Sequence, residues 1–382
     1  MAIGLASDTT PHTQRPCTDQ DRLARLRLIR SRRVGPATYH RLIADHGSAE
    51  AALAALPQIA RAAGVEKYEP CPPEVALHEM RAARAVGARM VCLGEPAYPA
   101  HLTEIPDAPP ILWLRGDPRL LMRPMVGLVG ARNASSLGLR MARRLAESLA
   151  EAGFVVVSGL ARGIDAEAHT AALEHGTVAV FAGGVDVVYP SENAALAGQI
   201  AVRGCILSEQ PPGLQPQARH FPLRNRIVSG LARALVVVEA AARSGSLITA
   251  REAAEQGREV LVVPGHPFDA RAAGCNLLIR EGATLIRSAA DVIEALGQAV
   301  RPEVPPHQAR PDLPDSPPPR RPLRDLAALH RLILDRLSPS PMAEDQLIRD
   351  LAVPAAEVVP QILALELEGQ VLRQAGGLIS RP

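Results

Sequence analysis

The constraint that dominates this chain is a regular alternation between residues 126 and 297. Short apolar runs at 126–129, 154–157, 177–181, 205–207, 234–238 and 259–263 are separated by stretches of helical length. Each run is too short for a helix and apolar enough to be buried on both faces, as strands inside a parallel sheet are. A further short strand is expected at 284–286. Leu137, Met141, Leu145 and Leu149 recur at every fourth position, which sets one face of a helix against the sheet. Strands that alternate with helices specify an α/β fold with a doubly wound, mostly parallel sheet.

Ligands of such a sheet bind outside the carboxyl ends of its strands. The segments after the expected strands are chemically alike. They include Gly130-Ala131-Arg132-Asn133, Ser158-Gly159-Leu160-Ala161-Arg162-Gly163-Ile164-Asp165, Gly183-Gly184, Arg243-Ser244-Gly245-Ser246 and Pro264-Gly265-His266. Glycines let backbone N–H groups approach an anion, and each following helix turns its positive end toward it. One such loop is an ordinary strand-to-helix turn. Several on one edge, with Arg132, Arg162 and Arg243 among them, describe a rim for phosphates.

The fourth strand is followed by a long loop ending in Arg219-His220-Phe221-Pro222-Leu223-Arg224-Asn225-Arg226. Three arginines, a histidine and an amide here surround one of only four phenylalanines in the chain. Guanidinium forks pair with phosphates, and a phenyl ring stacks on an unpaired base. The other reading makes Phe221 a core plug and the arginines a solvated helix start. These eight residues alone leave both open.

Common phosphate-site fingerprints are absent. The first loop lacks Gly-x-Gly-x-x-Gly, and no Gly-x-x-x-x-Gly-Lys-Ser/Thr occurs, which excludes a dinucleotide fingerprint and P-loop hydrolysis. Asp165 is expected to cap its helix, with His169 as its neighbour one turn on. Glu209 and Glu239 end strands and are the carboxylates that could cleave an N-glycosidic bond. No nucleophile, base and orienting group stand together, so no catalytic residue and no cofactor is expected.

At 382 residues the chain should hold two or three domains. Its net charge is only +2, so any affinity for nucleic acid must be local. Five cysteines are dispersed without a Cys-x-x-Cys, which reads as reduced thiols of a cytoplasmic protein and no metal site. Residues Met1 to Asp21 do not have a secretory leader pattern, and no apolar run is long enough to span a bilayer.

Residues 1–20 read as a loose tail and 21–86 as a helical domain. Its turn Arg32-Arg33-Val34-Gly35-Pro36 resembles that of a helix-hairpin-helix unit, but so short and common a pattern reads on its residues as the turn of a plain helical bundle. Residues 87–125 form an extended approach with one strand at 111–114, burying Trp113, and belong with the sheet in a domain of 87–297. Nine prolines make 298–322 a stiff linker. Three helices and a hairpin in 323–382 give the pattern of a winged helix. Its third helix, within 355–369, holds no Arg or Lys, and the domain has six arginines against eight acids. That disfavours the DNA major groove and suits an interaction module.

A set of motifs spanning 126–297 carries a family resemblance. They are Val129-Gly130-Ala131-Arg132, Ser158 to Asp165, Tyr189-Pro190, Phe221 to Ile227, Ser244 to Ala250 and Gly274-Cys275-Asn276-Leu277-Leu278-Ile279. Together they resemble the bacterial DNA-processing protein A (DprA/Smf) family. The resemblance implies a Rossmann-like sheet between an N-terminal domain of the sterile-alpha-motif or helix-hairpin-helix kind and a C-terminal winged-helix-like domain. It implies a non-enzymatic, single-stranded DNA-binding protein of DNA uptake and natural transformation. Such proteins act as homodimers, protect incoming strands and load RecA recombinase onto them past single-strand-binding protein. The family pocket carries over onto Gly130, Arg132, Ser158, Gly159, Arg162, Gly163, Phe221, Arg224, Asn225, Arg226, Ser244, Gly245 and Ser246. Members often carry a lysine shortly before the Phe-Pro; Arg219 and His220 stand there in this chain.

If Arg132, Arg219, Arg224 and Arg226 each neutralise a phosphate, log K should fall with log salt at a slope of roughly −3. A rival reading is a Rossmann-like nucleotide phosphoribohydrolase of the lysine-decarboxylase-like group. Its Pro-Gly-Gly-x-Gly-Thr signature is missing, with Pro264-Gly265-His266-Pro267 the nearest approach. A third reading is an adaptor with a vestigial pocket, worked by its two end domains.

Overall fold

The computed structural model describes residues 17–297, 326–374 and 378–382. The expected linker 298–322, most of the expected tail and Gly376-Gly377 of the expected hairpin lie outside them.

Four helices open the described chain: α1 (Asp19–Arg30), α2 (Pro36–His46), α3 (Ala49–Ala62) and α4 (Pro73–Ala85). Thr18 starts α1 through a reciprocal capping box with Asp21, and Pro36 takes the first position of α2 directly after Gly35. Leu28, Tyr39, Leu42, Leu53 and Leu56 form the core of this unit.

The sheet follows. Its strands are β1 (Arg89–Cys92), β2 (Ile111–Gly116), β3 (Met125–Val129), β4 (Val155–Ser158), β5 (Thr177–Val180), β6 (Cys205–Ser208), β7 (Ala234–Val237), β8 (Glu259–Val262) and β9 (Thr284–Leu285). The order across the sheet is β1-β2-β6-β5-β4-β3-β7-β8-β9. β3 to β9 run parallel, while β2 joins β6 and β1 joins β2 antiparallel. β1 was not foreseen: four residues that follow a helix and a turn carry too little alternation to declare a strand.

The chain starts the parallel part at β3, builds outward through β4, β5 and β6, then returns to the other side of β3 for β7, β8 and β9. That reversal opens a crevice beside the carboxyl end of β3, where this class of sheet binds ligands. Helices α5 (Ser136–Glu151), α6 (Ile164–Ala172) and α11 (Ala289–Leu296) cover one face. On the other face lie α8 (His220–Leu231), α9 (Gly245–Glu255) and α10 (Ala273–Arg280), and α7 (Ala194–Arg203) precedes β6. Successive residues of one strand serve opposite faces: Val155 and Val157 pack with Ile227 and Leu231, Val156 with Leu145 and Leu149. On α5 the buried face is Ala142, Leu145, Ala146 and Leu149, while Leu137 and Met141 are only half buried. The alanines let α5 approach its neighbours closely, which turns the expected stripe slightly outward.

A third cluster joins Leu26 and Ala83 of the helical unit to Trp113 and Ile206 of the sheet. At its centre the buried Glu79 accepts from Trp113 Nε1 at 2.9 Å and pairs with Arg30 at 2.8 Å. The N-terminal helices are therefore built onto the sheet.

The C-terminal unit comprises α12 (Leu326–Arg336), β10 (Met342–Ala343), α13 (Glu344–Leu351), α14 (Ala355–Leu367), β11 (Leu372–Gln374) and β12 (Leu378–Ser380). Its strands form a small antiparallel sheet in the order β10-β12-β11 over a core of Ile333, Leu347, Ile362 and Ile379. Among the described residues, no helix is long and apolar enough to cross a membrane.

Candidate nucleic-acid interface

The floor of the crevice holds two buried ionisable side chains, Asp165 and Arg224. Asp165 accepts from the backbone N–H groups of Gly159 at 3.2 Å and Ala161 at 3.3 Å. It does not cap α6, whose N-cap is Gly163; it braces the loop after β4 instead. Burial pushes its carboxyl pKa up, and the Arg224 guanidinium pulls against that. Arg224 is itself buried, and its Nη1 donates to Gly159 O at 2.5 Å and Val180 O at 2.7 Å. Its Nε donates to Asn225 Oδ1 at 3.2 Å. His169, behind this pair, holds Thr177 Oγ1 at 2.7 Å. Burial and then Arg224 push its imidazole down to about 3, so it is neutral and an unsuitable base.

Packing accounts for three glycines that sequence reasoning assigned to anion approach. A Cβ at Gly130 would stand 2.6 Å from Ile164 Cγ1, and one at Gly159 1.8 Å from Arg224 Nη1. Gly163 has a φ of +72°, and a Cβ there would meet Ala131 O at 2.3 Å. The loops after β3 and β4 lock together through these positions. Gly245 differs: nothing lies within 4 Å of its would-be Cβ, so that backbone is open to a ligand.

Phe221 projects from the first turn of α8 and is half buried. The Arg132 guanidinium lies 5.7 Å from its ring centre. The Tyr189 ring lies 5.4 Å away, tilted by 59°. Tyr189 is 55% exposed. The core-plug reading of Phe221 does not hold, because its ring forms part of a cleft wall.

That cleft, of about 790 Å³, is lined by Gly130, Arg132, Gly159, Phe221, Arg224 and Asn225 from one side and by Arg243, Ser244, Gly245 and Ser246 from the other. Arg132 and Arg243 are exposed. Ser244 Oγ accepts from Ser246 N–H at the start of α9. A neighbouring cleft of about 530 Å³ shares Arg132, Phe221 and Arg224 and adds Arg162, Gly163 and Tyr189. Arg162 pairs there with Glu192 at 2.7 Å. Asn133, Tyr189, Thr249 and Arg271 also line these clefts and were not expected. Asn133 stood in the first rim loop, and Tyr189 and Thr249 in the motifs Tyr189-Pro190 and Ser244 to Ala250, but Arg271 had no signal.

Four expected residues line neither cleft. Ser158 is buried and donates its hydroxyl to Leu128 O at 2.6 Å. Arg226 is buried, donating to Glu209 at 2.5 Å and to Asp107 O at 2.6 Å. Two helical positions from Arg224, it falls on the opposite side of α8, which removes it from the phosphate rim. Arg219 is exposed outside the clefts, its Nε 3.3 Å from His220 Nε2. His220 is buried, and burial together with Arg219 pushes its pKa down, so it adds no charge.

The carboxylates of the hydrolase reading do not form a pair. Glu209 follows β6 and Glu239 follows β7, with three strands between them. Glu209 holds Arg226, and Glu239 accepts from Ser135 N at 2.9 Å at the start of α5. All five cysteines are free. Cys17, Cys92 and Glu95 nonetheless meet, their ligand atoms within 4.8 Å of one another. Burial pushes both thiols up, and Glu95 pairs with Arg22 at 2.9 Å, so the trio lacks a free anionic donor.

The chain is similar to known proteins in all three parts. Residues 89–297 match the family described as DNA recombination-mediator protein A. Residues 19–82 match the DprA-like N-terminal HHH domain and 317–377 the DprA winged helix domain. The turn at Gly35, read on its residues as that of a plain bundle, falls inside the HHH match, which corrects that reading. DNA processing protein DprA of Bacillus subtilis is 42% identical over 235 residues, which is 61% of this chain and 78% of that protein. Protein Smf of Synechocystis is 38% identical over 309 residues, 74% and 77% of the two chains. The structure of DNA processing protein A from Streptococcus pneumoniae, 40% identical, superposes with a TM-score of 0.53 over 58% of this chain and 82% of its own. That of Helicobacter pylori DNA processing protein A, described for its single-stranded DNA binding mode, is 30% identical with a TM-score of 0.51, over 55% and 95%. A match through the whole sheet domain, flanked in order by matches to both smaller domains, makes this chain a member of the DNA recombination-mediator protein A (DprA/Smf) family.

Proposed function

We propose that this protein binds single-stranded DNA along the cleft at the carboxyl edge of its sheet, as a non-enzymatic mediator of recombination. It protects the strand and loads RecA recombinase onto it past single-strand-binding protein, acting as a cytoplasmic homodimer in DNA uptake and transformation. The observation that carries this reading is the Arg132–Phe221–Tyr189 cluster. Two accessible rings and a cation over one face form a platform for unpaired bases, which a closed duplex does not offer. Arg243 and the open Gly245 backbone across the same cleft suit the phosphates between those bases. The separation of Glu209 from Glu239 favours binding over glycosidic cleavage.

Binding of a labelled oligonucleotide, single- and double-stranded, at two salt concentrations tests the reading. A preference for the single strand is expected. With Arg224 and Arg226 both buried, Arg132 and Arg243 are the exposed cations of the rim, and the salt slope should be roughly −1.4, at about −0.7 per phosphate. Absence of binding to both forms at low salt would overturn the proposal. Filament formation by RecA on strands coated with single-strand-binding protein then tests loading; no acceleration over RecA alone would remove that part.

A further inference from the structure

The phosphate rim already has an occupant within its own chain. α12 ends at Arg336, and its last carbonyls reach the rim. Arg271, which lines the larger cleft, donates from Nη1 to Asp335 O at 2.6 Å and from Nη2 to Leu337 O at 2.5 Å. Arg336 donates from Nη1 to Ala134 O at 3.2 Å, two residues beyond Arg132. Asp335 and Arg336 themselves line the smaller cleft, opposite Arg132, Tyr189 and Phe221. The carboxyl end of a helix concentrates unpaired carbonyl oxygens and partial negative charge. A guanidinium on this rim therefore meets oxygens that resemble those of a phosphate.

This seat is polar and separable. The helical unit shares a hydrophobic cluster with the sheet, through Leu26, Ala83, Trp113 and Ile206. The core of the C-terminal unit runs from Leu329 to Ile379 and takes in no buried residue of the sheet domain. A contact held by hydrogen bonds without a common core can open without unfolding either side. Its sequence has six arginines against eight acids over 323–382, so it is drawn to an arginine rim and repelled by DNA.

We propose that the C-terminal winged-helix domain is an internal plug of the DNA cleft, with Asp335 to Leu337 seated on Arg271 and competing with the strand for the rim. The inference rests on the single-stranded DNA reading above. Docked, the domain narrows the cleft and holds Arg271; undocked, it frees both. Single-stranded DNA binds the undocked form and shifts the protein toward it, and whatever holds the domain away raises DNA affinity.

The test compares three proteins on fluorescein-labelled oligothymidylate: the full chain, full-length Arg336→Ala, and a chain ending at 297. Arg336→Ala removes the bond to Ala134 O and adds no carboxylate for the rim arginines to attract. The shortened chain keeps the sheet cores intact, and the C-terminal unit's core is separate from them. Both altered proteins should bind more tightly than the full chain; a cleft open about a tenth of the time predicts an apparent Kd about tenfold lower on release. Weaker binding by Arg336→Ala would make Arg336 a DNA contact and overturn the plug. Equal binding by all three would overturn it as well, leaving the DNA reading intact. No binding by any of them would overturn the DNA reading itself.

Discussion

Arg224 Nη1 lies 2.5 Å from the carbonyl oxygen of Gly159, and a Cβ placed on Gly159 would lie 1.8 Å from that same nitrogen. The two residues require each other: the loop can close over the guanidinium only without a side chain at 159. Gly159→Ala must therefore displace Arg224 from Gly159 O and Val180 O and leave Asp165 without its buried counter-charge. A stability loss of about 1–3 kcal/mol is expected. Affinity for single-stranded DNA should fall with it, because the loop that carries Arg162 and Gly163 shifts. Urea midpoints and oligonucleotide titration measure both; an unchanged midpoint would mean that the guanidinium moves aside freely.

Arg226 and Arg132 should behave as opposites. Arg226→Ala leaves the nearly buried Glu209 without its partner, and removing one side of such a pair typically costs about 3–5 kcal/mol. The protein that remains folded should bind DNA with unchanged salt slope. Arg132→Ala should leave the melting temperature nearly unchanged, weaken binding and flatten the slope by about 0.7. A flattened slope in Arg226→Ala would return that residue to the rim.

Stability should depend on pH through Glu252 on α9. Burial, aided by Asp107 and Glu255 and opposed by Arg226 and Arg224, pushes its carboxyl from 4.5 up to about 7. Between those values the folded protein holds a proton that the unfolded chain has released. Its contribution is full below about 4.5 and is lost as pH rises to about 7. His169 acts oppositely, its stability contribution being lost as pH falls from 6.5 toward about 3. It is common to both proteins, so it cancels when Glu252→Gln is compared with the parent. The variant should be the more stable at pH 8, with the gap closing toward pH 5. A gap constant with pH would assign the proton to another group.

The sheet was legible because buried parallel strands cannot hide their apolar runs: β3 to β9 stand where the pattern put them, β3 to β7 buried throughout, while β8 is half buried and the edge strand β9 exposed. β1 was invisible for lack of length. At the site, residue type was legible and direction was not. Arg224, Arg226 and Arg132 look alike in sequence, yet one holds the loops together, one pairs with Glu209, and only Arg132 lies exposed over the cleft. The glycines at 130, 159 and 163 were recognised as special for a reason that packing replaces. Arg271 carried no local signal, since its place in the cleft comes from the loop after β8 folding back toward α9.

Tyr189 offers the sharpest test of the stacking platform, because it was not among the expected site residues. Its ring meets Phe221 at 5.4 Å and is 55% exposed, so an unpaired base can reach it. Tyr189→Ala should weaken single-strand binding by about 1–3 kcal/mol, the value of one base stacked on an aromatic ring. Tyr189→Phe should bind as the parent does, since the ring and not the hydroxyl acts. Neither change should alter the salt slope, because no charge is removed. If Tyr189 and Phe221 hold one another for a shared base, combining Tyr189→Ala with Phe221→Ala should cost less than the sum of the two. The coupling should be about 0.5–1.5 kcal/mol, as for other aromatic pairs. Strict additivity would instead assign the two rings to separate bases along the strand.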